Sequence, residues 1–344
     1  RFDPSEAYVQ HAEREGGRNV SKITSNAGSS IKHLVEDMGF RGVQFGNYVT
    51  DDERKHHVGK VVEAMTDLAD VLGVKPQDIT LGGKLGFAIG ARGKGGASAH
   101  YEPSTQVINL TRKDGVGTVA HEWGHAFDHM LNDFKSYQDG GAYMSKEGHL
   151  GTHEVYNPDD ASGTTYAVPE GTKPYKGYMV RAKKDAAIRK AYGDLRSSQE
   201  SFRTRLKGVA RDLVKKGHMS EKKANDYWQS NHEIFARSFE RYIQRKLENG
   251  GQKNTYLSGL ANKNSKTGKP HPLWPTDEEV DAMSPAFDQI FAEYRKHKYG
   301  SDEPQKYNKQ DVREALTMIA PARYSARLQR AIEQAGKRLC FASA

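Results

Sequence analysis

Apolar residues recur every three or four positions in several long segments of the chain, and short strand-like runs lie between two of these segments. The helical periodicity is clear over residues 51–73, 116–131, 225–250 and 276–297. The runs ASAHYE and QVINLT flank the turn Pro-Ser-Thr, which is typical of a β-hairpin. The pattern therefore predicts an α+β fold, in which a small mixed sheet packs on the helix of residues 116–131.

The periodicity also divides the chain into regions. Between 140 and 178 the sequence is rich in Gly, Tyr and Pro without a sustained period, and a basic helical segment follows. We predict an N-terminal helical extension over residues 1–34, which includes a helix at 4–16. A main domain over 35–298 follows, carrying a loop and basic helical insertion at 140–225, and a helical tail covers 299–344.

Composition narrows the kinds of site that this chain can build. Of its 344 residues only Cys340 is a cysteine, so an intrachain disulfide and a cysteine-based metal site are both excluded. The mean hydropathy is −0.82, and no apolar run is long enough for a membrane helix. We expect a protein of a reducing cytoplasm that does not bind membranes. Because it begins at Arg1, we also expect it to be part of a larger polypeptide.

The formal net charge of +8 is concentrated in one segment of the chain. Residues 181–223 carry fourteen Lys and Arg against five Asp and Glu. Such a segment can contact the phosphates of DNA, which makes DNA a possible partner. A solvated helical face with no partner is the alternative interpretation.

The strongest chemical signal is TVAHEWGHAFDHML, residues 118–131. His121 and His125 are four residues apart, so in a helix they project from one face, about 6 Å apart along its axis. Two imidazoles so placed can bind one Zn²⁺, and Glu122 can act as the general base. A helix with buried, satisfied histidines is the alternative. His129 lies about 12 Å along the axis from His121, too far to share that ion.

The third metal ligand must come from another element. In NHEIFARSFERYI the residues Glu233, Arg237 and Glu240 recur on one polar strip. Glu233 is the predicted ligand, with Arg237 or Glu240 in support. Glu240 is the second choice as ligand, and His232 a weaker one. The alternative is a surface Glu–Arg pair one helical turn apart.

Other residues are candidates for supporting roles. Asp128 lies one turn after His125, so it could orient that imidazole. A phenol or imidazole beside the metal could stabilise the transition state. The sequence does not choose among the candidates for that role, which are His100, Tyr101, Tyr143, His149, His153 and Tyr256.

The chain resembles a known family in four blocks: FRGVQFGNYV, LGFAIGARGKGGASAHYEPSTQVINLT, GVGTVAHEWGHAFDHML and HEIFARSFERYI. Together they are similar to the zincin-like large polyvalent protein-associated domain, found in very large proteins of phages and conjugative elements. The resemblance covers roughly residues 35–295. It implies a metallopeptidase-like fold, zinc held by His121, His125 and Glu233, and Glu122 as catalytic acid and base. It also implies delivery into a recipient bacterium alongside DNA.

These observations lead to one expected function and one alternative. We expect a zinc metallopeptidase with one Zn²⁺ per chain that hydrolyses a polypeptide substrate. The substrate would align beside the QVINLT strand, which we expect to form the edge of the sheet. It would act in the cytoplasm of the host or recipient bacterium. The alternative is a nucleic-acid-associated accessory module, for anti-restriction or DNA protection, in which the zinc site is structural or vestigial.

Overall fold

Small β-sheets accompany longer helices in a mixed α+β structure. The computed structural model describes residues 12–91, 98–111, 115–132, 143–146, 152–156, 165–169, 179–181, 186–259, 261 and 270–299. Its α-helices are α1 (Ala27–Lys32), α2 (Asp51–Leu72), α3 (Val119–Asn132), α4 (Ala186–Ser198), α5 (Glu200–Lys215), α6 (Glu221–Lys223), α7 (Asn231–Asn249) and α8 (Asp277–Tyr299). The predicted α+β class is thus confirmed.

The strands of the described residues form three sheets. They are β1 (Arg14–Glu15), β2 (Val43–Phe45), β3 (Gly86–Ile89), β4 (Ala99–Glu102), β5 (Val107–Leu110), β6 (Thr152–Tyr156), β7 (Thr165–Pro169), β8 (Met179–Arg181) and β9 (Lys253–Asn254). The sheet orders are β2-β3-β5-β4, β7-β6-β8 and β1-β9. In the four-stranded sheet, β2, β3 and β5 run parallel and β4 is antiparallel to β5.

The hairpin predicted from ASAHYE and QVINLT is present, but its edge strand is the other one. Strand β5, from QVINLT, is paired on both sides and all four of its residues are buried. Strand β4 has β5 on one side and forms the edge of the sheet. The expectation that QVINLT supplies the edge was therefore wrong. Its run of apolar residues, with Asn109 also buried, is typical of a strand covered on both faces.

Capping residues at both ends determine where the predicted helix of residues 51–73 begins and stops. Thr50 accepts a hydrogen bond from the backbone of Glu53, whose carboxylate accepts one in return from Thr50 N–H, forming a capping box. The helix ends at Gly73, whose φ of 61° is the left-handed conformation that glycine adopts easily. Start and stop signals therefore define α2 from local sequence alone.

The N-terminal region differs from the predicted helix at 4–16. Residues 1–11 lie outside the described residues, and Arg14–Glu15 pair antiparallel with β9. Arg14 also donates to both oxygens of the buried Asp67 carboxylate, at 2.6 and 2.8 Å. Long-range pairing, which local periodicity does not report, therefore replaces the end of the predicted helix by a strand.

Helices α3, α7 and α8 enclose an aromatic core behind the face of α3 that carries His121 and His125. Trp123 stacks on Phe127 at 5.1 Å between ring centroids and on Phe239 of α7 at 5.5 Å. Phe291 of α8 stacks on Phe127 at 5.0 Å. The indole N–H of Trp123 donates to the carbonyl of Ile79. This packing fixes the rotation of α3 about its axis and therefore the direction in which its histidines point.

Gly124 allows α3 and α7 to approach closely. A Cβ atom at this position would lie 2.9 Å from Cδ1 of Phe239. We expect Gly124→Ala to lower the free energy of unfolding by about 1–3 kcal/mol, since the added methyl overpacks the core. The measurement is chemical denaturation of the variant and of wild type.

Gly193→Ala in α4 is the matched control for that prediction. A Cβ there meets no atom within 4 Å, so the same change is expected to stabilise the protein by about 1 kcal/mol through helix propensity. Equal effects of the two substitutions would contradict a close contact at Gly124.

Among the helices of the described residues, none combines the length and apolar character needed to cross a bilayer.

Candidate metal centre

The loop of residues 256–258, which follows α7 in the chain, anchors the start of α3. The backbone N–H of Ala120 donates to the carbonyl of Leu257 at 2.8 Å, and that of Gly117 donates to Tyr256 at 3.0 Å. Ser258 from the same loop donates its hydroxyl to the carbonyl of Glu240 in α7. The loop therefore satisfies orphan N–H groups of α3 and ties this helix end to α7.

Three potential ligands converge where α3 crosses α7. Nε2 of His121 lies 3.5 Å from Oε2 of Glu233, and Nε2 of His125 lies 3.3 Å from Oε1. One ligand atom from each residue falls within 4.8 Å of the others. Two ligands held 2.0–2.1 Å from a tetrahedral zinc are about 3.3–3.4 Å apart. The spacing of the imidazole and carboxylate atoms therefore fits a single small cation.

The charges in this cluster also suit a cation. Burial opposes protonation of His121, but the Glu233 and Glu240 carboxylates outweigh it and raise the pKa of the imidazole to about 10. Burial likewise opposes ionisation of Glu233, yet His125 and His121 hold the pKa of that carboxyl well below its usual value. Oε2 of Glu233 is buried and accepts no hydrogen bond from the described residues. A positive charge is thus favoured between these side chains.

Glu122 lies next to the three potential ligands without joining them. Burial raises the pKa of its carboxyl above the ordinary value, while the nearby His121 and His125 act in the opposite direction. The backbone N–H of Tyr101 on β4 donates to this carboxylate. Glu122 is therefore a buried carboxyl of raised pKa held between the histidine helix and the edge strand, as a proton-transferring group requires.

Glu240 supports His121 from behind. Its carboxylate accepts hydrogen bonds from the indole N–H of Trp274 at 2.8 Å and from the backbone N–H of Ala261 at 3.2 Å. Oε2 of Glu240 lies 3.7 Å from Nδ1 of His121, on the opposite side of the ring from Glu233. At this distance the carboxylate is not hydrogen-bonded to Nδ1, but its negative charge raises the basicity of a ligating imidazole. The predicted supporting role of Glu240 suits this geometry better than a ligand role.

We expect Glu240→Gln to weaken zinc binding by about 10–100-fold without abolishing it. The amide keeps one acceptor oxygen, for Trp274 or for Ala261, and removes the negative charge behind His121. The measurement is competition for zinc against a chromophoric chelator.

Glu279→Gln is the control for this change, because Glu279 is also a buried carboxylate but pairs with Arg205. It is expected to leave the zinc affinity unchanged. An unchanged affinity in Glu240→Gln would mean that Glu240 only holds the loop.

Arg237 is not part of a surface ion pair, so that alternative for the polar strip was wrong. Glu233 is 5% exposed and Arg237 is fully buried. The Arg237 guanidinium donates to the backbone carbonyls of Glu233, Leu273 and Trp228. Burial lowers the pKa of Arg237 to about 10, against the influence of Glu233. The three carbonyls show that this residue locks the N-terminal turn of α7, which carries Glu233.

The sequence suggested that Asp128 could orient the His125 imidazole, but in the structure Asp128 has a different partner. Its buried carboxylate accepts hydrogen bonds from the backbone N–H and the hydroxyl of Ser145, at 2.8 and 2.5 Å. Nδ1 of His125 has no hydrogen-bond partner among the described residues. Asp128 instead anchors residues 143–146 to α3, because its side chain points along the helix toward that segment.

The anchored segment brings Tyr143 against the metal cluster. Its ring lies 5.8 Å from that of His125 and stacks on His232 at 4.9 Å. Burial and the charges of Asp128, Glu122 and Glu233 raise the pKa of the Tyr143 phenol. A protonated phenol thus forms one wall of the site.

The remaining candidates occupy different places. The Tyr101 hydroxyl pairs with Nδ1 of His129 at 3.0 Å, and the Tyr256 hydroxyl pairs with His57 at 3.0 Å. His129 is therefore engaged with Tyr101, in keeping with its predicted exclusion from the metal. His100 lies on β4, where its carbonyl accepts from Asn109. His149 lies outside the described residues, as does the side chain of His153.

Tyr227 is a candidate that the sequence reasoning missed. It lies in a π-helical turn, Ala224–Trp228, directly before α7, and is 42% exposed. Burial of its hydroxyl and the Glu233 and Glu122 carboxylates raise the pKa of the phenol, which faces Glu233. A π-turn at the entry to a helix is a frequent functional feature, but its sequence carries no recognisable period.

Comparison with known proteins gives one match. No curated protein and no solved structure matches the chain. Residues 219–298 match the family model described as Large polyvalent protein-associated domain 1. This segment contains α7 and α8, and with them Glu233 and Glu240, while His121 and His125 precede it. The match supports the relation to the large polyvalent protein-associated domain family that the sequence predicted.

Proposed function

We propose that the chain is a zinc-dependent peptidase with a zincin-like fold. The observation that supports this most directly is the cluster of His121, His125 and Glu233, with the Glu122 carboxylate beside it. All four side chains are buried and come from two helices packed against each other. Two imidazoles and one carboxylate are the donor set of many hydrolytic zinc sites, which keep a further position for water or substrate.

The three converging side chains would hold one Zn²⁺ per chain. When bound, the ion supplies a Lewis acid and a water of lowered pKa. Glu240 places a negative charge 3.7 Å from Nδ1 of His121, and Arg237 ties the first turn of α7 to the carbonyls of Leu273 and Trp228. The supporting residues thus preserve the geometry that the reaction needs.

Glu122 is the proposed proton carrier. As a carboxylate it accepts the proton of the attacking water, and it then donates this proton to the nitrogen of the departing amine. Its raised pKa makes both steps easier near neutral pH, since an acid–base catalyst works best near the working pH. The Tyr101 N–H that contacts Glu122 aims the carboxylate from the edge strand.

The edge strand β4 offers a binding surface for an extended polypeptide. Ser98 accepts a hydrogen bond from Thr111 of the neighbouring chain segment, so alternate residues of β4 direct their backbone groups toward β5. Ala99 and Tyr101 then direct theirs to the opposite edge, which pairs with no other strand of the described residues and where Glu122 contacts Tyr101. A substrate added to this edge would place its backbone beside Glu122.

Tyr227 is the proposed transition-state stabiliser, because its phenol remains protonated and faces the Glu233 carboxylate. We expect Tyr227→Phe to lower kcat by about 10²–10³-fold, the cost of one lost donor to a developing oxyanion, with KM nearly unchanged. Steady-state kinetics on a cleaved peptide measure both constants.

Tyr48→Phe is the control for Tyr227→Phe. Tyr48 is 82% exposed in the turn before α2, so loss of its hydroxyl is expected to leave both constants unchanged. A rise in KM without a change in kcat would assign Tyr227 to substrate binding instead.

The match at 219–298 supports a role within a phage or mobile-element polyvalent protein. On this proposal the peptidase acts in the cytoplasm of a bacterium that receives it. The direct test is incubation of zinc-loaded protein with a proteome-derived peptide library, followed by mass spectrometry of new amino termini. Cleavage that disappears after chelation and returns with zinc is expected; a library that stays intact would overturn the proposal.

A further inference from the structure

Six cations around the C-terminal half of α5 pair with no carboxylate of the described residues. They are all exposed to solvent: Lys207, Arg211, Lys215, Lys216, Lys222 and Lys223. No ion pair joins any of them to an acidic residue in the part of the chain that the structure describes. Exposed, unpaired cations are free to bind an external anion.

Other cations of α5 and α7 do form ion pairs with carboxylates. Arg205 on the inner side of α5 pairs with Glu279, and Arg245 of α7 pairs with Asp281. Lys246 of α7 pairs with Asp288. The positive charge of α7 is thus largely compensated by α8, whereas the outer face of α5 keeps its charge.

Three of the six cations form a line, here called the basic stripe: Lys207, Arg211 and Lys215. They are four residues apart, so they lie on one face of α5 and span about 12 Å. Phe202, Leu206 and Ala210 on the opposite face of the helix are fully buried. Since one DNA strand presents a phosphate every 3.4 Å of rise, the basic stripe spans about three or four phosphates.

We propose that the basic stripe binds the phosphate backbone of a nucleic acid. A protein partner would be expected to need exposed aromatic or aliphatic anchors. The large exposed hydrophobic residues of the described chain are Tyr48 and Tyr227, and neither lies on the basic stripe. A membrane-surface helix needs an apolar face free for lipid, but that face of α5 is packed in the core. Nucleic acid is the polyanion that fits a line of three exposed cations without apolar anchors.

The test is fluorescence anisotropy of the full chain with a labelled 20-nucleotide single strand and the corresponding duplex, over a range of salt concentrations. The triple variant K207E/R211E/K215E is expected to bind at least about tenfold more weakly than wild type. The slope of log affinity against log salt should fall by about two to three, as expected for about three lost phosphate contacts. Because these side chains are exposed, the variant should unfold at the temperature of wild type.

The matched control is K22E/K55E/K84E, which changes three exposed lysines elsewhere and lowers the formal net charge by the same amount, from +8 to +2. It is expected to bind nucleic acid nearly as wild type does. Equal weakening by both triple variants would overturn the proposal, because net charge alone would then explain binding. Binding to phosphatidylserine vesicles without binding to either oligonucleotide would also overturn it.

This inference stands apart from the proposed peptidase. Glu122→Gln should bind both oligonucleotides as wild type does, whatever its effect on cleavage. Loss of nucleic-acid binding in Glu122→Gln would contradict a separate surface on α5.

Discussion

Glu122→Gln is expected to lower kcat for peptide hydrolysis by about 10²–10⁴-fold while the protein still binds one zinc. The amide has nearly the same shape as the carboxylate, so the packing between α3 and β4 should persist. It can neither accept the proton of the attacking water nor return it to the leaving amine. None of the three potential ligands is changed, which is why metal and activity should separate in this variant.

The measurement combines metal analysis of the purified variant with cleavage assays on the peptide found from the library. Glu36→Gln, an exposed position in the π-turn that follows α1, is the control and should behave as wild type. Undiminished cleavage by Glu122→Gln would show that another group carries the proton. Loss of both zinc and activity would make Glu122 a ligand or a structural residue.

The second large effect is expected when a metal-ligating side chain is removed. Wild type should hold about one zinc per chain, and His121→Ala and Glu233→Ala should hold almost none after dialysis. Metal that binds only the native state stabilises it in proportion to RT ln(1 + [L]/Kd), about 4 kcal/mol at a thousandfold excess over Kd. Addition of zinc should therefore raise the Tm of wild type and leave that of both variants nearly unchanged.

His129→Ala is the informative control for ligand removal. His129 lies on the same helix, one turn beyond His125, and is buried, but it pairs with Tyr101. Its removal should cost stability while the zinc content stays near one per chain. A zinc content that falls equally in His129→Ala would contradict the assignment of His121, His125 and Glu233 as the ligand set.

The local half of the site could be predicted from the sequence. The four-residue spacing of His121 and His125 decides that both rings leave one face of α3, whatever the rest of the fold does. The same geometry separates His129 from them, and the structure has His129 bound to Tyr101 instead. Properties that depend on one helix follow from that helix's own residues.

Tertiary contacts account for what could not be predicted. Arg237 was predicted to support the metal site, with a surface ion pair as the alternative; spacing along α7 does not show that Trp228 and Leu273 bring carbonyls to it. The strand from QVINLT was predicted to be the edge of the sheet. The sequence does not show that β3 pairs with its other side. Tyr227 was missed because its position depends on a π-turn and on the entry angle of α7.

The separation of the site's two halves along the chain has a consequence for when the protein can act. Glu233 follows His125 by about a hundred residues, and both are needed for the cluster. During synthesis, α3 leaves the ribosome well before α7 has been made. A nascent or carboxy-terminally truncated fragment therefore carries the H-E-x-x-H sequence but lacks a complete metal site. On the proposed function, peptide hydrolysis begins only after the later helix has docked, which protects the growing polypeptide from its own catalytic centre.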